Sequence, residues 1–230
     1  MAGRWTLKAR LIGRILFVVP LLGAVVFLPA GSLKSWQGWV YVLGFLAFSL
    51  FFGVYFYRHD RGLLERRLQV KERERGQKIF KKLWLPLWFL TMTMPGLDYR
   101  FGWSRSVLAA VPLWLTVLSQ ALVLGSDFLM LGVFRFNSFA STVIQVEGGQ
   151  KVVSAGPYRI VRHPMYSAIL IMIVFTPLAL GSYVTLPVAL LLIPVLVLRL
   201  VNEEEFLVRE LPGYAEYRVR TRFRLVPLVY

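Results

Sequence analysis

The chain contains no cysteine, which excludes a disulfide framework, a thiolate nucleophile and a thiolate metal site. Histidine is almost as scarce. His59 and His163 are the only two and lie far apart in the chain, too few for a zinc or di-iron cluster built on imidazoles, so no metal is expected. Acidic residues are the third scarcity, with 12 Asp and Glu against 27 Lys and Arg. So basic a chain could bind nucleic acid, but its basic residues fall between long apolar runs. That arrangement describes loops meeting an anionic membrane face, so anionic lipid is an expected partner and nucleic acid is not.

Apolar residues are what the chain has in excess: 57% of it is hydrophobic and its mean hydropathy is +0.61. A soluble fold would have nowhere to hide that surface. A hydrocarbon core about 30 Å thick takes about 20 apolar residues per helix. The runs at 15–28, 39–57, 83–97, 108–131, 165–180 and 184–200 therefore predict an all-α, polytopic membrane protein of about six transmembrane helices. The third run is the weakest, being short and holding Pro86 and Pro95. The first follows Arg4, Lys8, Arg10 and Arg14, as a secretory signal would. Pro29-Ala30-Gly31-Ser32 lacks a small-x-small cleavage pattern, however, so a retained helix is expected. The last two runs are expected to form a tight hairpin around Gly181-Ser182-Tyr183.

Charge placement tests this list. With both termini cytoplasmic, the inside segments hold four basic residues before the first run, ten over 58–82, four over 135–162 and six from Arg199 onward. That is 24 of 27, leaving Lys34, Arg100 and Arg105 outside. One missed or invented helix would invert every later loop. The expected organisation is an N-terminal helix pair over 1–57, a basic cytoplasmic segment over 58–82 and a core over 83–230. The helix pair has no ionisable residue in mid-span and reads as packing, an anchor or a lipid-accessible wall. Segment 58–82 mixes Glu65, Glu72 and Glu74 with Leu63, Leu64, Leu68, Val70 and Ile79. It reads either as an interfacial amphipathic helix or as a solvated basic helix that only sets topology.

Polar chemistry concentrates from Asn137 onward, on the expected cytoplasmic side. The first cluster runs from Gly156-Pro157-Tyr158-Arg159 through Arg162-His163-Pro164-Met165-Tyr166 into an apolar helix. Pro164 suits the first turn of a helix, where an amide would lack a partner anyway. The free amides of that turn suit a carboxylate or phosphate. Arg162 and His163 add charge or hydrogen bonds, and Tyr158 and Tyr166 offer flat faces to a purine. A membrane-interface belt that only anchors the helix explains the same residues.

The second cluster is Arg199 with Asn202-Glu203-Glu204-Glu205 at the end of the last apolar run. Carboxylates there are costly near lipid and opposed by the helix dipole, unless the helix continues outward through Leu207 and Arg209. Arg199 and Glu203 then share a face four residues apart. Two readings stay open: a structural Arg–Glu pair, or Glu203 or Glu204 binding the ammonium or ribose hydroxyls of a cofactor. Downstream come Pro212-Gly213-Tyr214, Tyr217 and a tail bearing Arg218, Arg220, Arg222 and Arg224. The tail reads as a segment folding back to close a pocket, or as arginines drawn to phospholipid.

These three motifs, with the terminal Arg224-Leu225-Val226-Pro227, resemble the isoprenylcysteine carboxyl methyltransferase family over about 137–227. A weaker likeness covers Gly96-Leu97-Asp98-Tyr99-Arg100-Phe101-Gly102-Trp103. The resemblance implies S-adenosylmethionine held at the cytoplasmic membrane surface. It implies cofactor contacts from Tyr158, Arg162, His163, Pro164, Tyr166, Glu203, Glu204, Tyr214 and Tyr217, with Arg199 and Glu204 as catalytic candidates. Arg199 would orient the acidic group or a substrate carboxylate, and Glu204 would accept the proton of an amine substrate. The sequence departs from the family at Ala168 and Leu228, where glycines are usual. The implied substrate is lipophilic, prenylated or otherwise, and enters from the bilayer. Alternatives are a phospholipid or amine N-methyltransferase and an NADPH-dependent membrane reductase, the latter disfavoured by the absence of a glycine-rich phosphate cradle. A non-catalytic scaffold would leave the Glu cluster unexplained.

Overall fold

A computed structural model describes residues 6–68, 75–139 and 151–229. Among them the regular elements are all helical: α1 (Leu7–Ala30), α2 (Trp36–His59), α3 (Arg61–Leu68), α4 (Arg75–Phe101), α5 (Trp103–Val107), α6 (Leu113–Phe136), a 3-10 turn (Gly156–Arg159), α7 (Pro164–Ala179), α8 (Leu186–Leu190), α9 (Leu192–Glu210) and α10 (Tyr214–Arg220).

Four stretches are long and apolar enough to cross a membrane: Leu7–Ala30, Trp36–His59, Leu113–Phe136 and Leu186–Glu210. A 24-residue helix is about 36 Å long, more than the hydrocarbon thickness. The expected runs at 83–97 and 165–180 have a different form. The first is the later part of α4, whose opening turns carry Arg75, Lys78, Lys81 and Lys82. The second is α7, whose 16 residues reach only about 24 Å. The expected 58–82 segment is likewise divided. α2 runs on to His59, α3 follows with Leu63 and Leu64 buried, and α4 begins at Arg75. Glu72, Glu74 and Val70 lie outside the described residues.

Local chemistry sets the helix ends. Thr6 Oγ1 accepts from the Ala9 amide, and Gly31, in the left-handed region, closes α1 by donating to Phe27 and Leu28. The last long stretch breaks between α8 and α9 because Pro194 has no amide to give the Leu190 carbonyl.

Three apolar clusters join the helices. Leu22, Val26 and Phe27 of α1 meet Val42 of α2 and Met92 of α4. Phe56 of α2, Leu63 and Leu64 of α3 and Leu131 and Phe134 of α6 form the second. Tyr166 and Ile173 of α7 pack with Leu192, Leu196 and Leu200 of α9 and Leu225 of the tail. This α7–α9 packing is the expected hairpin, and Gly181, at φ 81°, turns it. α1 and α4 cross where a Cβ on Gly96 would stand 2.7 Å from the Val26 carbonyl oxygen, the close approach that small residues permit between membrane helices. Large side chains such as Leu16, Phe17, Leu28, Val54 and Trp114 stand exposed on the helices, as a lipid-facing surface requires.

The two ends of the bundle differ in character. At one, Asp98 accepts from the amide of Ser104 at 2.7 Å and from its hydroxyl. The same hydroxyl accepts from the amides of Tyr183 and Val184, latching the hairpin turn to α4 and α5. The other end is basic, and there α7 begins and α9 ends.

Candidate functional site at the start of α7

The approach to α7 is shaped by one glycine. Gly156 has φ 58°, and a Cβ on it would fall 2.5 Å from the Phe136 ring, so backbone conformation and space both demand glycine. The 3-10 turn that follows presents Tyr158, whose hydroxyl accepts from Asn137 Nδ2 at 2.9 Å and whose carbonyl accepts from Tyr217 at 2.8 Å. Pro164 occupies the first position of α7. The amides before it are already used: Arg162 N–H donates to the Phe223 carbonyl and His163 N–H to that of Arg224, both at 2.9 Å. Ser167 Oγ adds a bond to the Leu225 carbonyl. The tail thus runs back alongside the start of α7 and is stitched to it by backbone polar groups.

Glu204 lies at the centre of the site, buried within α9. Its Oε1 accepts from Arg162 Nε at 2.5 Å and lies 3.4 Å from His163 Nε2, while Oε2 accepts from Arg224 Nε at 2.9 Å. Arg162 also donates through Nη1 to the carbonyls of Thr221 and Arg222, at 2.8 and 2.7 Å. One buried guanidinium therefore binds both a carboxylate on α9 and the backbone of the tail. Burying charges costs several kcal/mol each unless they are paired and hydrogen-bonded, and here every charge has partners.

One residue away, Glu203 faces a different group. It accepts from the Tyr166 hydroxyl, and that hydroxyl accepts from Arg199 Nε at 2.9 Å. The Arg199 guanidinium lies 4.4 Å over the Phe80 ring of α4, a cation–π contact. Tyr166 is buried and stacks on His163 at 5.7 Å between ring centres, so the two carboxylate clusters share a wall.

Tyr214 and Tyr217 pack with Leu211 against Tyr158, Val152 and Leu207. Tyr214 Oη is 3.5 Å from His163 Nε2. Burial pushes the Tyr158 and Tyr214 hydroxyls well above the ordinary phenol range, with nearby carboxylates adding to it. Burial raises Tyr217 to about 12, against a hydrogen bond with Thr221 that works the other way. These phenols are neutral hydrogen-bonding groups and ring faces, not bases.

This geometry brings Arg162, His163, Pro164, Tyr166, Arg199, Glu203 and Glu204 to one end of the α7–α9 pair, with Tyr158, Tyr214 and Tyr217 along one side. Residues 115–209 match the isoprenylcysteine carboxyl methyltransferase (ICMT) family. That agrees with the resemblance carried by the motifs and indicates a membrane methyltransferase. The ICMT match spans α6 to α9 and includes the Glu204 cluster, but it ends before Tyr214, Tyr217 and Arg224, which come from the α10 and tail segment. No curated protein matches the chain.

Several contributors were not singled out from sequence. Asn137 fixes Tyr158, Phe80 receives Arg199, and Thr221 and Arg222 offer only backbone carbonyls. Arg224 had a signal, since it opens the terminal Arg224-Leu225-Val226-Pro227 motif, but nothing local marks it as a partner of Glu204.

Proposed function

We propose that the chain is an S-adenosylmethionine-dependent methyltransferase of the membrane that methylates a carboxylate on a lipophilic, isoprenylcysteine-type substrate. In this reading 83–230 is the catalytic core, 1–57 forms a helix pair beside it, the basic end of the bundle faces the cytoplasm and both termini lie on that side. The donor set suits the cofactor. Glu203 is an acceptor for an ammonium or ribose hydroxyls, Arg224 and His163 suit a carboxylate, and the Tyr158 and Tyr214 rings suit a purine.

The observation that carries the choice of a carboxylate substrate is the engagement of Glu204. Both its oxygens accept from cations, Arg162 on one and Arg224 on the other. A carboxylate held this way is a poor proton acceptor, which counts against the amine chemistry for which a base is needed. A carboxylate nucleophile is already ionised at neutral pH and needs none. When bound, the cofactor would supply an electrophilic methyl on a sulfonium, to which a carboxylate oxygen could bond as the C–S electron pair leaves with sulfur, so no proton would change hands. Arg199, anchored by Tyr166 and Phe80, orients the incoming carboxylate by charge. Glu204 is a positioning residue that holds Arg162 and, through it, the tail that covers the site. Most of the acceleration comes from alignment and from expelling water.

Calorimetry on the detergent-purified chain tests this reading. S-adenosylmethionine should bind and NADPH should not, and Glu203→Gln and His163→Ala should weaken binding without unfolding the chain. Binding of NADPH alone would overturn the methyltransferase reading in favour of a reductase. Binding of neither would point to a scaffold.

A further inference from the structure

The N-terminal half carries a polar feature that methyl transfer does not use. Arg14 of α1 and Arg67 of α3 meet at the basic end of the bundle, where Arg14 Nη1 donates to the Arg67 carbonyl at 3.1 Å. The Arg67 guanidinium lies 4.1 Å over the Phe134 ring. Its Nη1 is buried and has no hydrogen-bond partner among the described residues. Burial, with repulsion from Arg14, pushes Arg67 down to about 10. Two like charges side by side, one with an orphaned buried N–H, form an arrangement that an anion would stabilise.

Both arginines line a cavity of about 260 Å³ between α1, α2, α3 and α6. Below them its walls are mostly apolar, including Val18, Phe45, Phe52 and Met130, with Gly53 leaving room and Ser49 and Asp127 as the polar residues of the lining. Asp127 is seven residues from Phe134 along α6, about 10 Å deeper, so it does not close the mouth. It lines both this cavity and a second, mostly apolar one of about 280 Å³ that also shares Phe45, holds Tyr41 and Gln120 in its wall and extends to Val117. Together the two follow α6 for about 26 Å, enough for a chain reaching the middle of a hydrocarbon core about 30 Å thick.

We propose that this cleft binds an anionic phospholipid, with its phosphate between Arg14 and Arg67 and one acyl chain lying along α2 and α6 past Gly53 and Phe45. General attraction of basic loops to an anionic surface needs no buried guanidinium and no apolar channel leading from it; a single seated lipid uses both. The site is built from the N-terminal helices and α6 and does not depend on the reaction proposed above.

Native mass spectrometry of the full chain in detergent, titrated with palmitoyl-oleoyl phosphatidylglycerol or phosphatidylcholine, tests it. The parent should retain one phosphatidylglycerol about tenfold more tightly than phosphatidylcholine, because both offer the phosphate but the choline cation of the latter is repelled by the two guanidiniums. Arg67→Gln should abolish that preference, as should Arg14→Gln at a position exposed in the fold. Gly53→Leu keeps both arginines and adds a side chain where a Cβ meets nothing within 4 Å; it should lose both lipids. Melting curves in lipid-free detergent check that each variant folds. Equal retention of the two lipids by the parent, or parent-like retention by Gly53→Leu, would overturn the proposal. A doubled mass in place of a lipid adduct would overturn it too, by making this face a contact between copies.

Discussion

Replacing Glu204 by glutamine should release the tail before it unfolds the bundle. The substitution keeps shape and removes charge, leaving Arg162 buried with its tail carbonyls but without its counter-ion. The two side chains are only 6% and 4% exposed, so the cost is that of breaking a buried pair, about 3–5 kcal/mol. Arg224, at 33% exposure, is partly screened by solvent and adds little. The low end, about 3 kcal/mol, is therefore expected. In a chain of this length that lowers the melting temperature by roughly 6–12 °C. The loss should be local, because the partners of Glu204 are Arg162 and His163 at the start of α7 and Arg224 of the tail, with Arg162 also holding Thr221 and Arg222. Thermal melting in detergent measures the total, and brief trypsin treatment locates it. Cleavage after Arg220, Arg222 and Arg224 should accelerate in Glu204→Gln while helix content is kept. A variant that melts with the parent and shows the same tail protection would refute the view that this carboxylate holds the tail through Arg162.

Tyr166→Phe removes the hydroxyl shared by Glu203 and Arg199, at a cost of about 1–3 kcal/mol. Calorimetry should show S-adenosylmethionine affinity falling by roughly fivefold to a hundredfold with the fold intact. Gly96→Ala puts a Cβ 2.7 Å from a backbone oxygen of α1 and should lower the melting temperature; overpacking of this kind typically costs about 1–3 kcal/mol. Tyr217, raised by burial to about 12 from the ordinary phenol value of 10.0, binds its proton more tightly folded than unfolded. Its contribution to stability is thus complete below pH 10 and is lost as pH rises from about 10 to 12. A Tyr217→Phe chain should lack that part of the alkaline melting shift, and the parent's phenolate absorbance should show one late-titrating group that the variant does not.

The bundle was legible in sequence where a single physical demand dominates. Runs at 15–28, 39–57 and 108–131 became α1, α2 and α6 because apolar length is itself the signal. The start of α4 was less visible, since Arg75, Lys78, Lys81 and Lys82 read as a loop although helical hydrogen bonding continues through them. Motif residues of the site were legible, but their pairing was not. Glu204 finds Arg162, 42 residues earlier, and Arg224, 20 residues later, and no local pattern encodes such partners. Arg199 and Glu203 were expected to meet as neighbours four apart. In the fold what joins them is the Tyr166 hydroxyl of another helix, which donates to Glu203 and accepts from Arg199.

Methyl transfer from labelled S-adenosylmethionine to a prenylated cysteine analogue with a free carboxylate, followed by alkali treatment, tests the central claim most directly. A carboxyl methyl ester releases its label as volatile methanol in base, and an N-methyl product keeps it. The expected result is alkali-labile label in the lipophilic product with the parent chain and almost none with Glu203→Gln. Label that stays fixed through alkali, or no transfer by a chain that binds the cofactor, would contradict carboxyl methylation as the reaction of this site.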